Sequence, residues 1–160
     1  MARKFIKFTK KDKMIIQDFV SNIDNSLIIE TSPEKRFECD IAQKTIYLGT
    51  KNIDKYEKAA FIKWYKAQDF FTPMNRRILS LLHEIGHFKT YNEIEFEERN
   101  TIEDMITFMY EQGAINYQEL SKAYFEIPNE LKATQWGVQY YKNHTQECKE
   151  LAKRLGLNKY

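Results

Sequence analysis

The segment at residues 79–92, LSLLHEIGHFKTYN, decides the interpretation of this chain, because it contains the pattern H-E-x-x-H at His83, Glu84 and His87. Residues four apart on an α-helix are separated by about 40° around the axis and about 6 Å along it. Both imidazoles can therefore reach one metal ion from the same side of a helix. Composition alone would produce this pattern in roughly 0.5% of comparable chains. The segment predicts a metal-binding helix.

Glu84 lies beside the helix face that carries the two histidines, not on it. A carboxylate there can stay off the metal and take the proton from a metal-bound water, whose pKa a zinc ion lowers to about 7. Leu79, Leu82 and Ile85 can bury the opposite face, and Gly86 leaves room between the two histidines. The pattern therefore predicts Glu84 as the catalytic base.

Around this helix the chain predicts an α+β fold. Hydrophobic periodicity predicts helices over residues 11–23, 54–71, 73–91, 100–112, 117–125 and 129–155. The helix at 73–91 is expected to begin at Pro73 with Thr72 as its N-cap. Residues 36–49 predict a hairpin or strand pair, because RFECDI and KTIYLG are rich in β-branched and aromatic residues. We expect a small early β-sheet, then a helical bundle containing the H-E-x-x-H helix, in a single domain at residues 1–160.

Composition excludes several classes of protein. Lys plus Arg is 25 and Asp plus Glu is 23, and the net charge of +2 gives no whole-chain argument for binding nucleic acid. The N-terminal lysines and arginine are expected to be a solvated face. No apolar run approaches the 18 or so residues of a membrane span, and no hydrophobic signal region of about 7 residues forms. Two cysteines at distant positions favour a reducing compartment. We therefore expect a soluble, cytoplasmic protein without a membrane partner.

A catalytic zinc site needs a third protein ligand and an open fourth position. Glu93 stands six residues after His87, where the metzincin pattern has its third histidine, and stays open as a carboxylate ligand. His144 is the only other histidine in the chain, and its polar surroundings predict a surface residue.

Glu130 is the strongest candidate for the third ligand. It lies in the first turn of a helix opened by Pro128, from where a carboxylate can point at a neighbouring helix. Ala133, Thr134 and Gly137 follow at helical spacing on the same side, so the two helices can approach closely. The alternative is that Glu130 only complements the dipole of its own helix.

The combination of H-E-x-x-H with a later E-x-x-A resembles the gluzincin-type zinc metallopeptidases. Within them, a strand ending in IYLG, then a helix, HEIGH and E-x-x-A-T-x-W resemble the small cytoplasmic peptidases of the ImmA/IrrE-like kind, often carried by phages and mobile elements. The resemblance covers residues 37–145. It implies a zincin-like fold, one Zn²⁺ bound by His83, His87 and Glu130, and Glu84 as general base.

This resemblance implies a zinc-dependent metallopeptidase that hydrolyses peptide bonds of a protein or peptide substrate, with a transcriptional regulator as one candidate. The chain departs from these peptidases in two places. One is the extra helix at 54–71. The other is Thr134, at a position where the peptidases commonly have an acid or Asn that orients a ligating histidine. These departures leave open an alternative function, a catalytically weak or inactive zincin-fold protein that acts by binding or regulation.

Three further expectations concern the surroundings of the site. The oxyanion-stabilising donor stays open among the tyrosines Tyr91, Tyr140 and Tyr141. The strand at residues 45–48 is either an edge to which a substrate adds or a buried central strand. Cys39 and Cys148 are expected to be buried small hydrophobic residues.

Overall fold

The computed structural model describes residues 7–32, 36–49, 75–93 and 96–157. The described helices are α1 (Lys10–Ile23), α2 (Arg76–Thr90), α3 (Phe96–Glu111), α4 (Tyr117–Tyr124), α5 (Pro128–Asn143) and α6 (Thr145–Arg154). The strands are β1 (Ile28–Ser32), β2 (Glu38–Asp40) and β3 (Thr45–Gly49), and a 3₁₀ turn at Tyr91–Glu93 follows α2. This part of the chain is α+β and mostly helical, as predicted. The helix predicted at 54–71 lies outside the described residues.

The three strands form one small sheet in the order β1-β3-β2. β2 runs antiparallel to β3 with Cys39 opposite Ile46, which confirms the strand pair predicted at 36–49. β1 runs parallel to β3 on its other side. β3 is therefore the central strand, with Ile46 and Leu48 fully buried. Of the two alternatives for this strand, the buried central strand is confirmed and the free edge is wrong. Among the described strands, the edges are β1 and β2.

One apolar core joins the sheet to four of the helices. Its members from α1, β1, β3, α2, α5 and α6 include Ile16, Val20, Ile29, Ile46, Leu48, Ile78, Leu82, Ile85, Val138, Tyr141 and Leu151. The side chain of Gln17 ties α1 to β1, since its Nε2 donates to the Leu27 carbonyl at 2.9 Å and its Oε1 accepts from the Ile29 amide at 2.9 Å. The core thus holds α2 against both the sheet and α5.

The start of α2 differs from the prediction. Asn75, not Thr72, is the N-cap, and its Oδ1 accepts hydrogen bonds from the amides of Arg77 and Ile78 at 3.0 and 3.3 Å. Its Nδ2 also donates to the Leu157 carbonyl at 2.6 Å. Asn75 therefore caps the helix and fastens its first turn to the C-terminal end of the described chain, so α2 begins at Arg76 and not at Pro73.

The single helix predicted at 129–155 is wrong. His144, at φ −124° and ψ 35°, interrupts it and separates α5 from α6. The Thr145 hydroxyl donates to the carbonyls of Tyr141 and Lys142 at 2.9 and 3.1 Å, which satisfies acceptors that the break leaves open. The break redirects α6 so that Cys148 and Leu151 enter the core.

The other helices predicted within the described ranges are confirmed to within a few residues. α3 begins at Phe96 where residue 100 was expected, and α4 ends at Tyr124. Gly113 and Gly156 follow helix ends at φ 70° and 67°, a conformation that favours glycine. No helix in the described ranges is both long enough and apolar enough to cross a membrane.

Candidate metal centre

The site is built where α2 and α5 cross with their backbones in contact. A Cβ placed on Gly86 would lie 2.5 Å from the Ala133 carbonyl oxygen, and one on Gly137 would lie 3.2 Å from the His83 amide nitrogen. The small residues expected to allow a close approach therefore do so. The backbone of α5 fills the space beside Gly86. Gly86 therefore allows the close approach of α5.

This crossing brings three of the predicted residues together. His83 Nε2 lies 2.9 Å from Glu130 Oε2 and 3.1 Å from His87 Nε2, and His87 Nε2 lies 3.4 Å from Glu130 Oε1. A tetrahedral zinc with bonds of about 2.0–2.2 Å holds its ligand atoms roughly 3.3–3.5 Å apart. His83, His87 and Glu130 are thus positioned to bind one metal ion.

Thr134 contacts His83, one of the two histidines positioned to bind a metal ion. Its Oγ1 lies 3.0 Å from His83 Nδ1 within the buried crossing. When His83 Nδ1 donates its proton to this hydroxyl, Nε2 keeps its lone pair for a metal ion. Thr134 is therefore placed to fix the orientation and tautomer of the His83 ring.

Tyr124, at the end of α4, holds the carboxylate of Glu130. Its hydroxyl donates to Glu130 Oε1 at 2.9 Å, while Oε2 of the same carboxylate faces His83. Burial raises the pKa of Tyr124, so its hydroxyl stays a donor. Sequence reasoning missed this residue, because nothing in the chain distinguishes it from the nine other tyrosines.

The tyrosines expected as oxyanion donors are engaged elsewhere or lie at the surface. Tyr141 is buried in the core. Tyr140 stacks on Trp136 and on His144, with ring centroids 5.1 and 4.1 Å apart. Tyr91 is exposed after the end of α2.

The two buried carboxylates of the site differ in their electrostatics. Burial alone would raise the pKa of Glu130, but its hydrogen bonds with His83 and His87 outweigh it and hold that pKa well below its usual range. Glu84 is 8% exposed, and burial raises its pKa, an effect that the two histidines oppose. Glu130 is therefore charged, as a metal ligand must be, while Glu84 is better suited to accept and release a proton.

Cys39 was expected to be a buried hydrophobic residue, and it lies at the site instead. Strand β2 brings its half-buried thiol close to the carboxylate of Glu84. Its Sγ, a Glu84 carboxylate oxygen and a His87 ring nitrogen all lie within 4.8 Å of one another. Burial and the Glu84 carboxylate raise the pKa of this thiol. The other cysteine, Cys148, is buried in the core as expected.

The two other candidate ligands lie outside this cluster. Glu93 is exposed and pairs with Lys132 at 2.8 Å. His144 is half-buried at the helix break and faces Glu147 at 3.2 Å. The alternative of Glu93 as third ligand therefore has no support in the geometry.

A cavity of about 300 Å³ lies beside the centre, between α3 and α4. Its wall is mostly apolar and includes Tyr124, which also contacts Glu130. Further lining residues are Arg36, Ile106, Leu120, Phe125 and Ile127. The cavity has the size and lining to hold an apolar side chain next to the cluster.

Comparison with known proteins does not assign the chain to a family. No family model matches it, and no curated protein and no solved structure is significantly similar to it.

Proposed function

We propose that this chain is a zinc-dependent metallopeptidase of zincin-like fold that hydrolyses peptide bonds of a protein substrate. The observation that carries the proposal is the convergence of His83, His87 and Glu130 on one point, with the buried Glu84 next to them. Two imidazoles and one carboxylate are a ligand set typical of catalytic zinc. The resemblance to the ImmA/IrrE-like peptidases agrees with this assignment.

The residues present fit a zinc ion, since the three ligand atoms are spaced for it and Thr134 and Tyr124 orient them. A bound zinc ion supplies Lewis-acid polarisation of the scissile carbonyl and of the attacking water. Glu84 accepts the proton of that water and delivers it to the leaving amine. Its burial keeps competing solvent away from the proton transfer.

The substrate is proposed to bind as an extended peptide along the outer edge of β2. In the described part of the sheet only β3 pairs with this strand, so the other edge of β2 can add a peptide strand. Cys39 on β2 contacts Glu84, so such a peptide would pass close to the base. The cavity beside Tyr124 would receive an apolar side chain of the substrate. A cytoplasmic transcriptional regulator is the candidate protein target.

The test is cleavage of a proteome-derived peptide library by the zinc-loaded protein, with new termini identified by mass spectrometry. Glu84→Gln is the matched control, because it removes the base and keeps the ligands. We expect zinc-dependent cleavage by the wild type, with a sequence preference, and none by Glu84→Gln at equal zinc content. Equal cleavage by both proteins would contradict the role of Glu84.

A second candidate is a zincin-fold protein that acts by binding. It is favoured by the exposed apolar residues on α3, Met105, Phe108, Met109 and Tyr110, which offer a surface for a partner. Absence of cleavage by both proteins in the same assay would support this candidate against the peptidase.

A further inference from the structure

Cys39 lies next to the residues positioned to bind a metal ion, where its thiol can take part in the chemistry of the site. Its Sγ lies within 4.8 Å of a ring nitrogen of His87, a proposed ligand, and of the carboxylate of Glu84, the proposed base. Thiolate sulfur is among the strongest zinc ligands in proteins, and a site with three protein ligands leaves one position open. The thiol therefore stands next to a position for which it can compete.

We propose that Cys39 binds the metal ion as a fourth protein ligand in the resting protein and thereby closes the site. This inference rests on the metal site of the proposed function. A zinc–sulfur bond is about 2.3 Å, so sulfur and nitrogen on one tetrahedral zinc are roughly 3.5 Å apart. Sγ lies within 4.8 Å of a His87 ring nitrogen, so it needs to approach that atom by no more than about 1.3 Å, and it must come to a similar distance from His83 and Glu130. A rotation of the side chain with a small shift of the three-residue edge strand β2 can supply that movement.

The same contacts provide a route for the proton. The thiol lies within 4.8 Å of a Glu84 carboxylate oxygen. On ligation the S–H bond breaks, its proton passes to a Glu84 carboxylate oxygen, and the sulfur electron pair forms the bond to the metal ion. No oxidant or reductant takes part. Ligation by Cys39 therefore blocks the fourth position.

Ligation by Cys39 makes the peptidase activity depend on the edge strand β2. A peptide that adds to the outer edge of β2 acts on the strand that carries Cys39, and reversal of the proton transfer frees both Glu84 and the fourth position. Substrate binding and release of the thiol are thus coupled through β2. In the absence of an extended substrate the site stays closed, so the resting protein is latent.

The experiment is the absorption spectrum of the protein loaded with Co²⁺, which replaces zinc and shows a thiolate-to-cobalt charge-transfer band when sulfur is a ligand. Wild type, Cys39→Ser and Cys148→Ser are compared at equal cobalt content. Cys148→Ser is the matched control, because Cys148 is the other free cysteine and is buried in the core. We expect the band in wild type and Cys148→Ser and its loss in Cys39→Ser.

A second measurement uses the wild type alone. Alkylation of Cys39 by iodoacetamide, located by peptide mapping, should be slow with zinc bound and faster after a chelator removes it. Two results would overturn the ligation by Cys39 without contradicting the metal site. One is a wild-type protein that binds one cobalt ion and shows no charge-transfer band. The other is an alkylation rate of Cys39 that is the same with and without zinc. No bound metal in any variant would overturn this inference and the proposed function together.

Discussion

Replacement of Gly86 by alanine tests whether the α2–α5 contact sets the metal geometry. The new Cβ would lie 2.5 Å from the Ala133 carbonyl oxygen and 2.9 Å from its Cα, whereas ordinary contact begins at 3.4 Å. The obstacle is backbone, so relief requires the helices to separate by about 0.9 Å. The distances from a metal ion to its ligand atoms can deviate from their usual values by only about 0.2 Å. We therefore expect Gly86→Ala to weaken zinc binding by about 100-fold or more.

The effect on stability is smaller, because two terms oppose each other. Overpacking at the crossing costs about 1–3 kcal/mol, while alanine gains about 1 kcal/mol of helix propensity over glycine. The free energy of unfolding of the metal-free protein should thus fall by about 0–2 kcal/mol. Urea unfolding measures this term separately from zinc affinity.

Gly137→Ala is the matched control on the facing helix. Its Cβ would lie 3.2 Å from the His83 amide nitrogen, so a shift of about 0.2 Å relieves the contact. Zinc affinity, measured by competition with a chelating indicator, should stay within about threefold of the wild type for this variant. If Gly86→Ala bound zinc as tightly as Gly137→Ala and unfolded at a higher free energy than the wild type, the claim that the α2–α5 contact sets the metal geometry would be refuted.

Three further predictions concern single contacts. Tyr124→Phe removes the donor to Glu130 Oε1 and should lower zinc affinity about 10- to 100-fold; an unchanged value in the indicator assay would contradict that role. Thr134→Val keeps the shape but removes the partner of His83 Nδ1, and a loss of about tenfold is expected in the same assay. A hydrogen bond from Lys89 lowers the pKa of Asp24 from 3.8 to about 2. Because the folded-state pKa is depressed, this stabilisation is present above pH 3.8 and is lost as the pH falls towards 2. Asp24 is partly exposed and its partner is a surface lysine, so Asp24→Asn should cost less than about 1 kcal/mol in urea at pH 7 and nothing well below pH 2.

Local patterns in the sequence predicted much of the fold and the grouping of His83, His87 and Glu130. The spacing of His83 and His87 requires only helix geometry, and the strip of small residues after Glu130 predicted the close crossing. Both are properties of single helices, which a sequence displays directly. The strand pair before the motif was predictable for the same reason.

Contacts between elements distant in sequence were not predictable. Cys39 reaches Glu84 only because β2 packs against α2, whereas Tyr124 reaches Glu130 across the short connection from α4 to α5; neither residue belongs to a spaced motif. The break at His144 was missed for another reason: it carries no Gly or Pro signal, although the hydrogen bonds of Thr145 that accompany it are local. The start of α2, in contrast, depends on Asn75 bonding to Leu157.

The zinc content of the purified protein, measured by elemental analysis after loading and gel filtration, tests the central claim most directly. Glu130→Ala and Glu93→Ala are prepared alongside, the first removing a proposed ligand and the second a surface carboxylate paired with Lys132. The account predicts about one zinc per chain in the wild type and in Glu93→Ala, and loss of the metal in Glu130→Ala. A wild type without zinc, or full retention of zinc in Glu130→Ala, would contradict it.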